Sequence, residues 1–160
     1  MADNPHASWF FKYEWDFDAI PAGSEFSNYM RALLCCANGD GELQPGEREW
    51  VVGYAGTLGV PDELLDELRG YPADDDIAEL IKDDTAVRDS RRGIIYDAVR
   101  ACAADGDITE GELATIRRLA QTIDVPAAVV GELATLYRDE QQLKSRRINL
   151  VWPTLASKPY

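Results

Sequence analysis

One stretch of the sequence occurs twice, 65 residues apart, and this repeat limits the folds open to the chain. Shifted by 65 positions, Asp40-Gly41 falls on Asp105-Gly106, and Gly46-Glu47 falls on Gly111-Glu112, without a gap. Ten of the 29 positions from 40 to 68 are identical to their counterparts. A repeat of this kind is typical of one helical unit used twice, in which each copy covers the apolar face of the other. The chain is therefore expected to form one domain from two similar halves.

Each copy predicts three helices. In the second copy, Thr109 and Glu112 have the spacing of a capping box, and the apolar residues that follow recur at helical intervals. Pro126 stands where a first-turn proline is tolerated and opens the next helix, as Pro45 and Pro61 do in the first copy. The predicted helices run from about 27 to 37, 45 to 58, 61 to 70, 85 to 103, 109 to 124 and 126 to 147. The fold class is therefore all-α, with two pseudo-symmetric three-helix units packed about a twofold axis.

The two ends of the chain have a different pattern. Aromatic and charged residues alternate from Phe11 to Asp18, and this period of two predicts an extended segment with one buried face. The apolar run from Ile148 to Pro153 predicts a second extended segment, and both ends are expected to pack on the helical body. The alternative use of the aromatic residues is a groove for a ligand or peptide. The predicted parts are an N-terminal aromatic strap (1–23), the repeats (24–147, as 27–70 and 85–147 with a linker at 71–84) and a C-terminal tail (148–160).

Composition excludes several functional classes. The chain has 16 Lys and Arg against 29 Asp and Glu, a net charge of −13, which would repel a phosphate backbone and argues against nucleic-acid binding. No apolar run reaches the ~20 residues of a membrane span, and the start does not have the pattern of a signal peptide. A cytoplasmic protein without an integral membrane segment is expected. The single histidine, His6, is badly placed for a zinc site or a catalytic base.

The three cysteines do not have the spacing of a disulfide framework or a zinc site. Cys35 and Cys36 are adjacent, and Cys102 stands alone, so neither a CxxC pair nor an even count is present. The residues leave two interpretations open. The cysteines are either small apolar core residues near helix ends, or groups with a redox or thiol-metal role.

The repeated acidic loop is half of a calcium loop. With Gly106 at position six of an EF-hand loop, Asp105, Asp107 and Glu112 fall at positions five, seven and twelve. Positions one and three are alanines in this copy, so the first half of the loop lacks its ligands. The other copy offers Asp40, Glu42 and Glu47. The same residues have a purely structural interpretation, since the glycine makes a turn, the aspartate caps it, and the glutamate caps the next helix.

A site shared by the two loops is the strongest form of the metal hypothesis. If the twofold axis brings the loops together, one ion can be shared by Asp40, Glu42, Asp105 and Asp107, and these four carboxylates would repel one another without a cation or protons between them. The candidate metal ligands are Asp40, Glu42, Glu47, Asp105, Asp107 and Glu112.

These motifs resemble the TerB family, the helical domain of tellurite resistance proteins. The family phrase Ala-Asp-Gly, an apolar residue and then a glutamate at the start of a helix is matched from Ala104 to Glu112, and with glycine for alanine from Gly39 to Glu47. The resemblance covers about residues 24–147. It implies an all-helical, duplicated, cytoplasmic domain that binds metal through Asp40, Glu47, Asp105 and Glu112, and that acts as an interaction module in stress-response complexes.

Three functions follow from this sequence. The first is a non-catalytic TerB-like binding module that takes a divalent cation, calcium or magnesium, on its acidic loops and docks to a partner protein. The second is a pure protein-interaction or scaffold domain without metal, whose acidic surface attracts a basic partner. The third is a small-molecule-binding protein or an enzyme that uses the cleft between the repeats. An enzyme is disfavoured because the sequence has no phosphate-binding glycine loop and no histidine beside a cysteine.

Overall fold

The computed structural model describes residues 4–19 and 21–158, and within these ranges the chain is all-helical. The predicted all-α class is confirmed. The helices are α1 (Pro5–Trp15), α2 (Ser27–Ala37), α3 (Pro45–Thr57), α4 (Asp62–Gly70), α5 (Ile77–Ile81), α6 (Thr85–Asp89), α7 (Arg91–Cys102), α8 (Glu110–Thr122) and α9 (Ala127–Val151).

Two helices, α2 and α7, form the centre of the molecule. They pack against each other, and each also contacts α3 and α8. Every residue from Ala32 to Ala37 is buried, and so is every residue from Ile94 to Val99. A helix that is covered on all sides needs apolar residues around its whole circumference, and both segments supply them apart from Asp97.

The helices of the two copies keep the 65-residue offset. Both α3 and α8 have 13 residues, and their first residues, Pro45 and Glu110, are 65 positions apart. The helices α4 and α9 begin at Asp62 and Ala127, again 65 positions apart. The axis relating the two halves stays a prediction.

The N-terminal segment is a helix, and the prediction of an extended strap is wrong. The side chain of Asn4 accepts hydrogen bonds from the backbone N–H groups of His6 (3.0 Å) and Ala7 (3.2 Å), and Pro5 follows it at the first helical position. This start signal outweighs the alternation of aromatic residues. The side chains of Ala7 and Phe11 in this helix are buried in the core, so the N-terminal segment packs on the helical body as predicted.

Two further boundaries differ from the predictions. The helix expected from 85 to 103 is interrupted at Ser90, whose backbone leaves the helical region (φ −124°, ψ 37°), so that α6 and α7 are separate. At the other end, α9 continues to Val151, where Trp152 and Pro153 stop it because a residue before proline avoids helical dihedrals. The C-terminal prediction of an extended tail packed on the body is wrong for Leu150 and Val151, which are helical and exposed.

Candidate functional site

The two acidic loops lie against each other. A methyl group placed on Gly111 would lie 2.8 Å from the Cα of Asp40, and one placed on Gly39 would lie 2.7 Å from the Cα of Glu112. A methyl group on Gly46 would lie 3.3 Å from the Cβ of Asp105. The contacts Gly111 to Asp40 and Gly46 to Asp105 are therefore equivalent under the 65-residue shift. Glycine is needed at Gly39 and Gly111 because the backbones approach too closely for a side chain, whereas at Gly46 the neighbouring Cβ of Asp105 is only a tight contact.

The glutamate that ends each loop motif caps the helix that follows. The carboxylate of Glu47 accepts a hydrogen bond from the backbone N–H of Gln44 (2.8 Å), and that of Glu112 accepts one from the N–H of Thr109 (2.7 Å). The hydroxyl of Thr109 in turn accepts from the N–H of Glu112, which confirms the predicted capping box. Both repeated glutamates therefore cap the helices that follow them.

Both capping glutamates are also buried, and they face each other. Glu47 is 0% exposed and Glu112 is 3% exposed. Burial, together with the neighbouring Glu112 and Asp105, raises the pKa of Glu47 to about 8, against the lowering effect of the backbone hydrogen bond from Gln44. Neighbouring carboxylates repel each other when both are ionised, so this arrangement favours the protonated form of Glu47. The Oε1 atom of Glu47 is buried without a hydrogen-bond partner.

The other four predicted ligands lie at the rim of this contact. Asp40, Glu42, Asp105 and Asp107 are all exposed. The carboxylate of Asp40 accepts a hydrogen bond from the backbone N–H of Glu42 (2.9 Å) and so closes its own turn. Across residues 4–19 and 21–158, no three histidine, cysteine, aspartate or glutamate side chains surround a common point as metal ligands do. The structure therefore brings two of the six predicted ligands together inside the protein and leaves four outside.

A solved structure with the same arrangement of helices identifies the family. No protein-family model matches the sequence, and no curated protein matches it. The crystal structure of a tellurite resistance protein from Nostoc punctiforme superposes with a TM-score of 0.87, is 33% identical in sequence, and covers 100% of both chains. The chain belongs to the TerB-like family of tellurite resistance proteins.

The structural match is wider than the sequence resemblance. The motifs of the TerB-like domain pointed to residues 24–147, whereas the match with the Nostoc punctiforme protein spans the whole chain. The helix α1 and the end of α9 therefore belong to the shared architecture. Within the described parts of the TerB-like chain, no helix is long and apolar enough to cross a membrane.

The three cysteines of the TerB-like chain are core residues. Cys35, Cys36 and Cys102 are buried and none forms a disulfide. Burial raises the pKa of the Cys36 thiol far above its usual range, and burial together with Cys36 does the same to the pKa of Cys102. Because the thiolate is the reactive form, these shifts disfavour a redox or nucleophilic role.

A second buried carboxylate, Asp97, was not predicted from the sequence. It lies on α7 at 2% exposure, and its Oδ2 atom accepts hydrogen bonds from the hydroxyls of Tyr29 and Tyr54, both at 2.8 Å. The Nη1 atom of Arg100 lies 3.3 Å from its Oδ1 atom. Burial raises the pKa of Asp97, and Tyr29, Arg100 and Tyr54 oppose that rise. The sequence feature that could have indicated this site is an acidic residue inside the apolar run from Ile94 to Val99.

Arg100 connects this carboxylate to the aromatic side chains around it. Its guanidinium carbon lies 5.1 Å from the ring centre of Trp50, 5.3 Å from that of Tyr54 and 5.5 Å from that of Tyr96. Its Nη1 atom lies 3.8 Å from the Oε1 atom of Glu14 on α1. One cation is thus surrounded by three rings and two carboxylates, which fixes α1 and α3 to α7.

Proposed function

We propose that this TerB-like chain is a non-catalytic binding module that takes one divalent cation, calcium or magnesium, between its two acidic loops. It would act in the cytoplasm as part of a stress-response complex. The observation that supports the proposal is the Glu47–Glu112 pair. Two buried carboxylates face each other there, and one oxygen has no hydrogen-bond partner. A cation would remove their repulsion and supply the missing partner.

The carboxylate oxygens of Glu47 and Glu112 suit a hard cation, but these two residues alone do not complete its coordination shell. Calcium takes six to eight oxygen ligands, and magnesium takes six, often several of them water. Glu47 and Glu112 would hold the ion from opposite sides, while each keeps the hydrogen bond that caps its helix. The exposed residues Asp40 and Asp105 belong to the contact between the loops, and with water their carboxylates would complete the shell. In this role the chain binds and orients the ion and couples it to the junction of its two halves.

Thermal denaturation with added cations tests this proposal. We expect calcium or magnesium chloride at about a hundredfold excess over the dissociation constant to raise the melting temperature of the wild-type chain by roughly 5–10 °C, because the folded form alone binds the ion. The Glu47→Gln variant should lose this response. Glu63→Gln, which changes an exposed acid on α4, should keep it. A wild-type chain that does not respond, or a Glu47→Gln variant that responds equally, contradicts cation binding at this pair.

The second candidate is a protein-interaction domain without metal. Its support is a row of exposed leucines on the 25-residue helix α9: Leu136, Leu143 and Leu150 are seven residues apart and therefore lie along one face. The net charge of −13 favours a basic partner over an acidic one. The variants separate the two candidates. Leu143→Ser should release the partner and keep any cation response. Glu47→Gln should keep the partner and lose the cation response.

A further inference from the structure

A pocket lined by aromatic rings lies beside Asp97, where α1 covers the centre of the molecule. Its volume is about 260 Å³, somewhat below the ~300–1,000 Å³ of sites for drug-sized ligands. Pro21 and Leu58 add apolar surface to its wall. The rings that line it are Phe11, Trp15, Phe17, Phe26, Tyr29 and Tyr54.

The polar floor of the pocket, formed by Asp97, Tyr29 and Tyr54, offers hydrogen-bond acceptors to a ligand and no free donors. Tyr29 and Tyr54 each have one O–H, and both O–H groups are donated to Asp97 at 2.8 Å. Burial and the Asp97 charge raise the pKa values of both hydroxyls far above their usual range, so both keep their protons. Their oxygen lone pairs remain as acceptors, next to a carboxylate that can only accept when ionised. A ligand that presents N–H groups would complement this floor.

The charge around the pocket also favours a cation. No lysine or arginine lines it, whereas Asp97 and Asp89 do. The guanidinium of Arg100 is shared between Asp97 (3.3 Å) and Glu14 (3.8 Å), so these three groups carry one net negative charge, while Asp89 pairs with Arg88 at 3.4 Å. The first turn of α7, which meets the pocket at Gly93, would favour an anion, but the carboxylate of Asp89 lies at the same end. The surrounding aromatic faces attract cations and have no such attraction for anions.

We propose that this pocket binds a small organic cation, a primary ammonium group carried on an aromatic or compact apolar body, with the ammonium at the Asp97–Tyr29–Tyr54 floor. The apolar body lies against the rings of Phe11 and Phe17, which stack on each other at 6.1 Å. The site shares no residue with the acidic loops. Its ligand is therefore independent of the cation proposed there.

Three probes of the same shape and different charge test the proposal: benzylammonium, benzyl alcohol and benzoate. Titration of the wild-type chain, followed by ¹H–¹⁵N correlation spectra with the indole of Trp15 as reporter, gives each dissociation constant. We expect benzylammonium to bind about tenfold more tightly than benzyl alcohol. Benzoate should cause no saturable shift. Equal affinity for benzylammonium and benzyl alcohol, or tighter binding of benzoate, overturns the proposal.

Two variants locate the binding, and one serves as a control. Phe17 is 50% exposed, so Phe17→Ala should fold normally and weaken benzylammonium binding by about three- to thirtyfold. Tyr13→Ala removes a more exposed ring (72%) from α1, outside the pocket, and should leave the affinity unchanged. Asp97→Asn should abolish the preference for benzylammonium over benzyl alcohol. If Asp97→Asn does not fold, Phe17→Ala still decides, since an unchanged affinity in that variant contradicts the assigned site.

Discussion

A glutamate in the first turn of a helix normally has its carboxylate near water, and glutamate is rarely buried unless it is paired. Glu47 and Glu112 cap their helices and are buried as well, because the two loops close over them. The capping role could be read from the spacing Thr109 to Glu112. The burial could not, because it depends on which loop lies opposite. The same limit applies to Asp97, whose tyrosine partners are 68 and 43 residues away in sequence.

The raised pKa of Glu47 predicts a pH dependence of stability. In EDTA, the folded form favours the protonated carboxyl up to about pH 8, whereas the unfolded chain ionises near pH 4.5. The stabilising contribution of Glu47 is therefore complete below pH 4.5 and is lost as the pH rises to 8. We expect the wild-type melting temperature to fall between pH 5 and pH 8 by about 5 °C more than that of Glu47→Gln. Parallel pH profiles for the two proteins would show that Glu47 is not the group that titrates.

Helix bounds were predicted correctly where a helix-start residue was followed by apolar residues at helical spacing. The bounds of α2 at Ser27 and Ala37 and the start of α3 at Pro45 are as predicted. The N-terminal helix was missed because aromatic residues alternated with charged ones, and the period of two outweighed the capping signal of Asn4 and Pro5. No glycine or proline stands at Ser90 to predict the break between α6 and α7. The break is seen only in the structure.

The contact between α8 and the first loop depends on a glycine. A methyl group at Gly111 would meet the Cα and Cβ atoms of Asp40 at 2.8 and 2.9 Å, so the loop would have to move. We expect Gly111→Ala to lower the free energy of unfolding by about 1–3 kcal/mol. Gly131→Ala on α9, where nothing lies within 4 Å, should raise it by about 0.5–1 kcal/mol through helix propensity. Urea denaturation measures both, and equal stabilities would mean that the loops do not touch.

At the scale of the whole molecule, the repeat explains why a single chain carries the acidic motif twice. Each copy starts its own helix, and the two copies then meet at one junction beside the central helices α2 and α7. From the sequence, contact between the two loops could be predicted only if a twofold axis brought them together. A repeat indicates which helices each half contains, but it does not determine the angle between the halves. The 33% identical Nostoc punctiforme protein has the same architecture over its full length. One junction with two inward carboxylates favours one cation per chain over two separate loop sites.

The number of bound ions distinguishes one shared site from two separate loop sites. Native mass spectrometry of the chain after exchange into calcium or magnesium should show one ion per wild-type chain. Glu47→Gln and Glu112→Gln should each bind none, because either substitution removes one side of the shared site, while Glu63→Gln should keep the ion. Two ions per wild-type chain, or one ion retained in either buried-pair variant, would show that the loops act separately and would contradict a shared site.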